Sequence, residues 1–475
     1  IENQVAETTG RTLSIDGDIE WGFWPKIRLH TGPVTLSNAP GFGDAPFLKL
    51  DEFEFAVATW PLVMSDIKMD AVRLYGFELN LAKNADGVTN WADLAGERET
   101  AEDGPGEDHG AGGGDLGDLP AIALGGVDIR DARITYRDAA TGQDLALTEI
   151  NASTGALELG DPVDLTVTMN IASAHPDIEG DAKLSTRVVY DIGAEHYVVD
   201  PLSFVSNLSG PRIPGGKTTL ELNGLIDADI GAGTVEITGL TFEGLDTTLA
   251  ATLAAFDLDR DRPGARGTLD IDGKDLALIF RVLESPIADQ LARAPDRSFS
   301  VDLDFDADMR EGKVAVPTLA AALLGAKLGG ELSASDADTD TPKVTGRLTA
   351  GGPDLPALIA LAGQIQGDEA LREAGQKLAA ARDKSFAFET AFDADLDTGK
   401  VAVSTLNARG LGLNLDGTLA AADVNADSGS IDGRLKMTGS ELGALFAAAN
   451  QEGLADVVQS VAVDAGFSGT TADVA

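Results

Sequence analysis

The sequence predicts a mainly β protein with interspersed helices, built as an elongated repeat sheet. The first observation is an internal repeat: residues 298–332, SFSVDLDFDADMREGKVAVPTLAAALLGAKLGGEL, recur as SFAFETAFDADLDTGKVAVSTLNARGLGLNLDGTL in residues 385–419 and in looser form in residues 219–253. The second is a regular alternation of apolar and acidic residues inside the copies, which is typical of strands. The third is the 55 glycines among 475 residues, which favour many short strands and tight turns.

Alternation inside the first copy separates two strand faces. Val301, Leu303 and Phe305 lie on one side and the aspartates between them on the other, because successive side chains of a strand point to opposite faces. Residues 386–395 alternate in the same way. Each copy is therefore predicted to be a small strand meander with one apolar and one acidic face. Two glycines after polar residues are predicted to form its turns: Gly312 and Gly399.

A recurring phrase after the strands predicts helices. GTLDIDGKDLALIFRVL from Gly267, GRLTAGGPDLPALIALA from Gly346 and GRLKMTGSELGALFAAA from Gly433 all end in apolar residues at helical spacing. One repeat is thus predicted to hold several strands and one helix, in units that contact only their neighbours. A residue suited to a helix N-cap precedes each apolar run: Asp275, Asp354 and Ser440.

The composition argues against nucleic acid as a partner and limits the chemistry open to the chain. With 78 acidic and 35 basic residues the formal net charge is −43, so the chain lacks the clustered cations on which nucleic-acid binding depends. It has no cysteine, which excludes disulfides and thiolate metal sites. No apolar run reaches the roughly 18 residues that span a membrane. Both ends are expected to be trimmed, because the chain opens on Ile1 and ends at Ala475 within a strand pattern.

Residues typical of catalysis or metal binding are scattered. Aspartates alternate in residues 257–261 and 302–308 and raise calcium binding as an alternative. They lack the glycine and glutamate positions of an EF-hand loop, so a solvated outer face explains them better. We expect no enzymatic activity, no metal and no cofactor. The histidines show no ligand spacing: His30, His109, His175 and His196.

Four phrases in register resemble the AsmA family of bacterial envelope proteins. They are TGRTLSIDGDIEW from Thr9, LSNAPGFGDAPF from Leu36, LYGFELNL from Leu74 and DGVTNWADL from Asp86. Residues 125–157 also resemble the family's middle segment. The resemblance implies a curved β-groove that conducts lipid between the two membranes. It also implies a periplasmic protein anchored in the inner membrane by one helix before the Thr-Gly-Arg phrase.

This chain departs from the family pattern by lacking that helix, by ending before the family's C-terminal region and by carrying an acidic, glycine-rich insert. The insert is predicted to be a flexible linker or loop. The predicted organisation has four parts: residues 1–95 as an AsmA-like N-terminal β module, 96–119 as the acidic linker, 120–265 as a middle β-groove segment, and 266–475 as β-plus-helix repeats truncated at the C-terminus.

The apolar strand faces are the candidate functional residues. In a groove they would line the path of acyl chains; the alternative is that they pack as ordinary core against helices or a second sheet. Tyr75, Phe77, Leu79 and Leu81 are expected to share one strand face. The candidates are Phe53, Phe55, Val57, Tyr75, Phe77, Leu79, Leu222, Ile226, Val301, Leu303, Phe305, Phe386, Phe388 and Phe392. A second aromatic group is predicted to plug the first strand layer or to form an interfacial belt: Trp21, Phe23, Trp24 and Trp60.

The leading hypothesis is a non-enzymatic periplasmic lipid conduit or carrier for outer-membrane biogenesis, with phospholipid or another acyl lipid as ligand and the membrane reached through the missing helix. The alternative is a scaffold that assists outer-membrane protein assembly, in which exposed sheet edges or helices recruit client strands and the apolar faces are closed cores. A third reading, an acidic repeat adhesin on the cell surface, requires calcium between repeats. Nucleic acid is not an expected partner.

Overall fold

The computed structural model confirms a mainly β fold with interspersed helices. Strands hold 59% of the described residues and helices 12%, and the strands of each compact unit form an open, curved, mainly antiparallel sheet. The predicted insert at 96–119 lies outside the described residues, as do Phe23, Trp24 and Trp60. The structure describes residues 5–6, 9–16, 20–22, 26–58, 68–69, 72–95, 123–157, 160–191, 193–423, 429–440, 442–451, 453, 458 and 460–470.

The chain divides into two compact units. The first unit comprises Ile1–Gly231, Ile237–Leu245 and Leu278–Ala288. The second unit comprises Ala232–Glu236, Asp246–Ala277 and Asp289–Ala475.

Short strands begin the first unit and converge on one long strand. These strands are β1 (Leu13–Ile15), β2 (Glu20–Gly22), β3 (Lys26–Thr31), β4 (Val34–Leu36), β5 (Leu48–Leu50), β6 (Glu52–Ala58), β7 (Lys68–Met69), β8 (Val72–Tyr75), β9 (Glu78–Lys83) and β10 (Ala123–Leu124). The long strand is β11 (Val127–Asp138). Its first half pairs in parallel with β8 and its second half in parallel with β9. One run of pairings, β1–β4–β5–β9, and another, β2–β3–β6–β8, therefore meet at β11.

From β11 onward the first unit is an antiparallel meander, in which each strand from β11 to β16 pairs with the next. Short turns between successive strands make this the expected arrangement. The further strands are β12 (Gln143–Thr154), β13 (Val163–Ser173), β14 (Ile178–Asp191), β15 (His196–Ser209) and β16 (Lys217–Asp229).

The second unit continues the same design over a longer run. β17 (Thr234–Gly244) has residues in both units. From β18 to β28 every strand pairs antiparallel with its successor. These strands are β18 (Thr247–Phe256), β19 (Gly264–Gly273), β20 (Phe299–Asp308), β21 (Lys313–Leu323), β22 (Ala326–Ser335), β23 (Lys343–Gly352), β24 (Phe386–Asp395), β25 (Lys400–Gly410), β26 (Leu413–Ala422), β27 (Ser430–Ser440) and β28 (Ser460–Thr470).

The α-helices described between Leu276 and Ala448 interrupt the meander of β18–β28 at every fourth connection. α1 (Leu276–Val282) and α2 (Ala288–Leu291) join β19 to β20, α3 (Leu355–Gln366) and α4 (Glu369–Leu378) join β23 to β24, and α5 (Gly443–Ala448) joins β27 to β28. Because the strands alternate in direction, all three insertions leave from the same end of their strands. The prediction of one helix per repeat is therefore corrected to two in the first two insertions.

The predicted helix caps had different outcomes. Asp354 is confirmed as the N-cap of α3, where its side chain accepts a hydrogen bond of 2.9 Å from the Ala357 amide. The prediction for Ser440 is wrong: β27 extends through Ser440, and the N-cap of α5 is Leu442, which makes no side-chain cap. The cap of α4, Asp368, was not predicted, because the helix that it starts was not.

Bulges at the same place in two strands account for part of the curvature. β21 and β25 each carry one extra residue relative to both neighbours, near Pro317 and Ser404 respectively. A bulge bends its strand and increases the local twist. The shared phrase VAV-Pro/Ser-TL marks the position in sequence. The predicted turn glycines are confirmed, since Gly312 and Gly399 have φ of 60° and 61°, a region open mainly to glycine.

A buried arginine fixes the N-terminal module. The Arg11 side chain is fully buried and donates a hydrogen bond of 2.8 Å from Nε to Asp93 Oδ2, a second to Asp93 Oδ1 and a third to the Asn90 carbonyl. Its guanidinium lies 4.6 Å from the centre of the Phe47 ring. The hydrogen bond from Arg11 lowers the pKa of Asp93. Residues of separate phrases that resemble the AsmA family are thus joined by direct contacts.

Replacing Arg11 with lysine is expected to destabilise the first unit by about 2 kcal/mol, because a lysine cannot bridge both carboxylate oxygens of Asp93 and the Asn90 carbonyl. Urea unfolding followed by far-UV circular dichroism measures this change. The matched control is Arg130→Lys, whose guanidinium is 57% exposed beside Asp128. Equal unfolding midpoints for the two variants would contradict the assigned role of Arg11.

A hydrogen-bonded histidine makes the first unit sensitive to pH. His196 Nε2 lies 2.7 Å from Asp227 Oδ1 across β15 and β16, and this hydrogen bond raises the pKa of His196. The stabilisation is therefore fully present below the unfolded-state pKa and is lost as the pH rises through the higher folded-state value. NMR titration of the His196 ring should give a lower pKa in Asp227→Asn than in the wild type. An unchanged pKa would exclude this pairing.

Candidate functional site

The strand register of the second unit collects apolar residues on one face of the sheet. Paired residues of antiparallel strands project to the same side, so β18–β28 carry five rows of side chains that run across the strands. We call this the apolar face. None of its described residues is charged, and its hydroxyl-bearing residues are Thr247 and Thr390. The opposite face carries the alternating acids, including Asp302, Asp304 and Asp306.

One row of the apolar face repeats Leu-Gly-Phe-Val every four strands. It runs through Leu253, Gly267, Phe305, Val316, Leu332, Gly346, Phe392, Val403, Leu419, Gly433 and Phe467. Each phenylalanine ring lies close to the glycine of the preceding strand. A Cβ added at Gly267 would lie 3.2 Å from Phe305 Cε1, and one at Gly346 would lie 3.0 Å from Phe392 Cζ. The rings therefore fill the space left by the missing side chains.

The predicted residues of the second unit all lie on this face and are not buried. Val301, Leu303 and Phe305 lie on β20, and the three phenylalanines of β24 lie four strands further along. Phe388 is 36% exposed and the other five are half-buried. A closed core would leave such side chains almost inaccessible. Within the described residues, the apolar face is therefore open.

The first unit has an apolar face of the same kind. A row of half-buried residues crosses β12–β16 and includes the predicted Leu222: Ala152, Val167, Leu184, Phe204 and Leu222. The predicted Ile226 lies on the same side, paired with Val199. Residues of α1 cover the strand ends, where Leu278 and Val282 are buried against Ile178 and Leu208. Part of this face is therefore core.

In the N-terminal module one predicted residue falls on the other face. Leu74 pairs with Phe53 and with Ile129, so Leu74 lies on the side of the sheet that holds Phe53, Phe55 and Val57. Its neighbour Tyr75 therefore lies on the other side. Tyr75 pairs with Glu52, and the Arg130 guanidinium lies 5.8 Å from the centre of its ring. The expected single face from Tyr75 to Leu81 is thus corrected. Its cause is a break at Gly76, φ 62°, which ends β8 and leaves Phe77 between strands before Leu79 on β9.

A cavity of the second unit lies mainly on the polar face of the sheet. It has a volume of about 830 Å³ and is lined by Phe256, Arg266 and Arg310, among others. Arg310 forms ion pairs of 2.8 Å with Asp257 and 2.9 Å with Asp308, and its hydrogen bond lowers the pKa of Asp308. The charged side chains of this cavity are already paired with one another, and they offer little apolar surface to a hydrocarbon ligand. We therefore place the candidate site on the apolar face.

The sequence analysis left out two residues of the apolar face that lie on strands rich in small side chains. Leu328 and Ala350 lie beside Phe388 in register, yet they were not among the candidates. In β22 the phrase AKLGGELSAS does alternate, but its glycines reduce the apolar signal on which the selection depended. Aligning the repeat copies strand by strand would have found both positions.

Two features are absent from the described part of the chain. No group of three or more His, Asp or Glu side chains in the described ranges is arranged to hold a metal ion. None of the helices that the structure describes is both long and apolar enough to cross a membrane.

An open sheet with one uncharged face defines a repeat β protein with an exposed apolar surface. The sequence profile of the AsmA family matches residues 1–241, about half of the chain, and the chain therefore belongs to the AsmA family. Protein AsmA of Escherichia coli (strain K12) is 29% identical over 85 residues, which are 18% of this chain and 14% of that protein. No solved structure matches the chain. Family membership links the protein to the bacterial envelope.

The close approach of glycine and phenylalanine can be tested at Gly346. A methyl group there would lie 2.5 Å from Leu332 Cδ2 and 3.0 Å from Phe392 Cζ, so Gly346→Ala is expected to destabilise the second unit by about 1–2 kcal/mol. The control is Gly351→Ala on the opposite face of the same strand, where the nearest atom would be 3.2 Å away. Chemical denaturation compares the two. A control as destabilised as Gly346→Ala would show that the contacts with Leu332 and Phe392 are not the cause.

Proposed function

We propose that this protein is a non-enzymatic lipid carrier or conduit of the periplasm that serves outer-membrane biogenesis. Acyl chains of a phospholipid, or of another acyl lipid, bind on the apolar faces of its sheets. The lipid headgroup stays towards solvent. Anchoring to the inner membrane is part of the proposal and follows the family resemblance.

The observation that carries the proposal is the apolar face of β18–β28, which is open within the described residues. A soluble protein rarely exposes a continuous apolar surface unless that surface binds something. Its five rows hold no charged side chain, so they offer no contact for a phosphate or for a polar substrate. This favours a ligand recognised by its hydrocarbon part, with little selection by headgroup.

The free energy gained by removing an acyl chain from water is large enough to support acyl-chain binding. Each methylene removed from water contributes about 0.8 kcal/mol, so ten methylenes would contribute about 8 kcal/mol before the cost of ordering the chain. The opposite face is acidic, which keeps the sheet in water while the apolar face is occupied. No step of this function requires a catalytic group or a cofactor.

Native mass spectrometry of the gently purified protein tests the proposal. Several phospholipids are expected on each chain, or are taken up from added phosphatidylethanolamine vesicles. Phe388→Asp is expected to weaken fatty-acid binding about tenfold or more, because the acyl chain would lie against an unpaired carboxylate. Ala387→Asp, on the exposed opposite face of the same strand, is the matched control and should bind like the wild type.

A lipid-free mass together with no uptake from vesicles would overturn the lipid proposal. The scaffold hypothesis would then take its place, and binding of unfolded outer-membrane protein segments would be the next measurement. Unfolding of Phe388→Asp, seen by circular dichroism, would instead identify Phe388 as a core residue.

A further inference from the structure

Large side chains exposed by more than a third occur at two places on the apolar face: on β28, at Val463 with 39% and Phe467 with 42%, and at one place among the strands before it. Three large apolar side chains on the interior strands β19–β27 are exposed by more than a third: Leu323 by 39%, Leu328 by 42% and Phe388 by 36%. The other large apolar residues described on these strands are half-buried. Leu323 ends β21 and Leu328 lies near the start of β22, so the exposed residues are close neighbours in the sheet.

A small residue, Ala350, lies between Leu328 and Phe388 in the sheet. Ala350 on β23 pairs with Leu328 on one side and with Phe388 on the other. The row continues through Ala408 beyond Phe388 and through Ala321 before Leu328, so large and small side chains alternate. The result is a slot with Ala350 as its floor and with Leu328 and Phe388 as its walls.

The dimensions of the slot restrict its occupant. Leu328 and Phe388 lie two strand spacings apart, or about 9.6 Å between backbones, and their side chains occupy part of this width. A helix with its side chains is about 10–12 Å across and does not fit between them. The backbone groups of β22, β23 and β24 are already paired in the sheet, so an added strand would find no hydrogen-bond partner in the floor.

We propose that the slot formed by Leu328, Ala350 and Phe388 is the primary acyl-chain contact of the second unit, and that its ligand is a single unbranched hydrocarbon chain. This inference rests on the proposed function and assigns it to particular residues. The Leu-Gly-Phe-Val row has a different role: Phe305 and Phe392 pack over glycines and shape the sheet, whereas Phe388 faces the ligand.

Photocrosslinking tests the assignment on the intact chain. The probes are palmitic acid with a diazirine in its chain and a phosphatidylethanolamine that carries the same chain, presented in vesicles. The chain has no cysteine or other thiol to compete for the reactive intermediate. After irradiation, peptide mass spectrometry should locate most adducts of the second unit on β22–β24, at Leu328 and Phe388. Both probes should label the same residues, because the acyl chain is the shared feature.

Two variants change the slot in opposite ways. Ala350→Met fills the floor and Leu328→Ala removes a wall; each is expected to lower adduct formation on β22–β24 about tenfold. Ala402→Met, on the exposed polar face of β25, is the matched control and should leave the adducts unchanged. Circular dichroism confirms that each variant keeps its strand content.

The outcomes separate this inference from the function on which it rests. Adducts spread evenly over all five rows, with no effect of Ala350→Met, would overturn the slot and leave lipid binding in place. No adducts on the second unit with either probe would overturn both. Labelling by free palmitic acid alone would exclude the phospholipid as the source of the chain. A dimer that buries Leu328 and Phe388, detected by light scattering, would replace the lipid with a second copy of the protein.

Discussion

In-register pairing of successive antiparallel strands is the constraint on which the rest of the structure depends. Side chains alternate with a period of two, so an apolar face extends across many strands only if each strand keeps its phase with the next. A slip of one residue between β19 and β20 would bring Asp302 and Asp304 into the apolar face. The bulges in β21 and β25 preserve the phase, because the strands on both sides skip the same extra residue.

The same register explains how the sheet of the second unit keeps its shape although no second layer covers its apolar face within the described residues. Glycines recur in three rows, and in two of them phenylalanines of the following strands lie over the glycines and replace the lost contacts. Curvature and packing are thereby supplied within the sheet. The side chains that remain, such as Leu328 and Phe388, are free to contact a ligand, while the acids of the other face meet solvent.

Much of this architecture can be predicted from the sequence, because the repeat copies show the same alternation of apolar and polar residues. The alternation, the turn glycines Gly312 and Gly399 and the cap Asp354 are local features, and local chemistry decides them. Other features escaped prediction because they depend on distant partners. Tyr75 follows the alternation of its neighbours until Gly76 breaks the strand, and only the pairing of Leu74 with Ile129 reveals which side it occupies.

The sequence by itself determined the chemistry of each strand face and the membership of the chain in the AsmA family, because both depend on residue order alone. Only the tertiary structure decided which apolar faces are covered. Coverage depends on where separate segments come to lie: α1 buries the strand ends beneath Leu278 and Val282 in the first unit, whereas Phe388 stays exposed in the second. Identical alternation in sequence therefore becomes partly core in one unit and an open surface in the other.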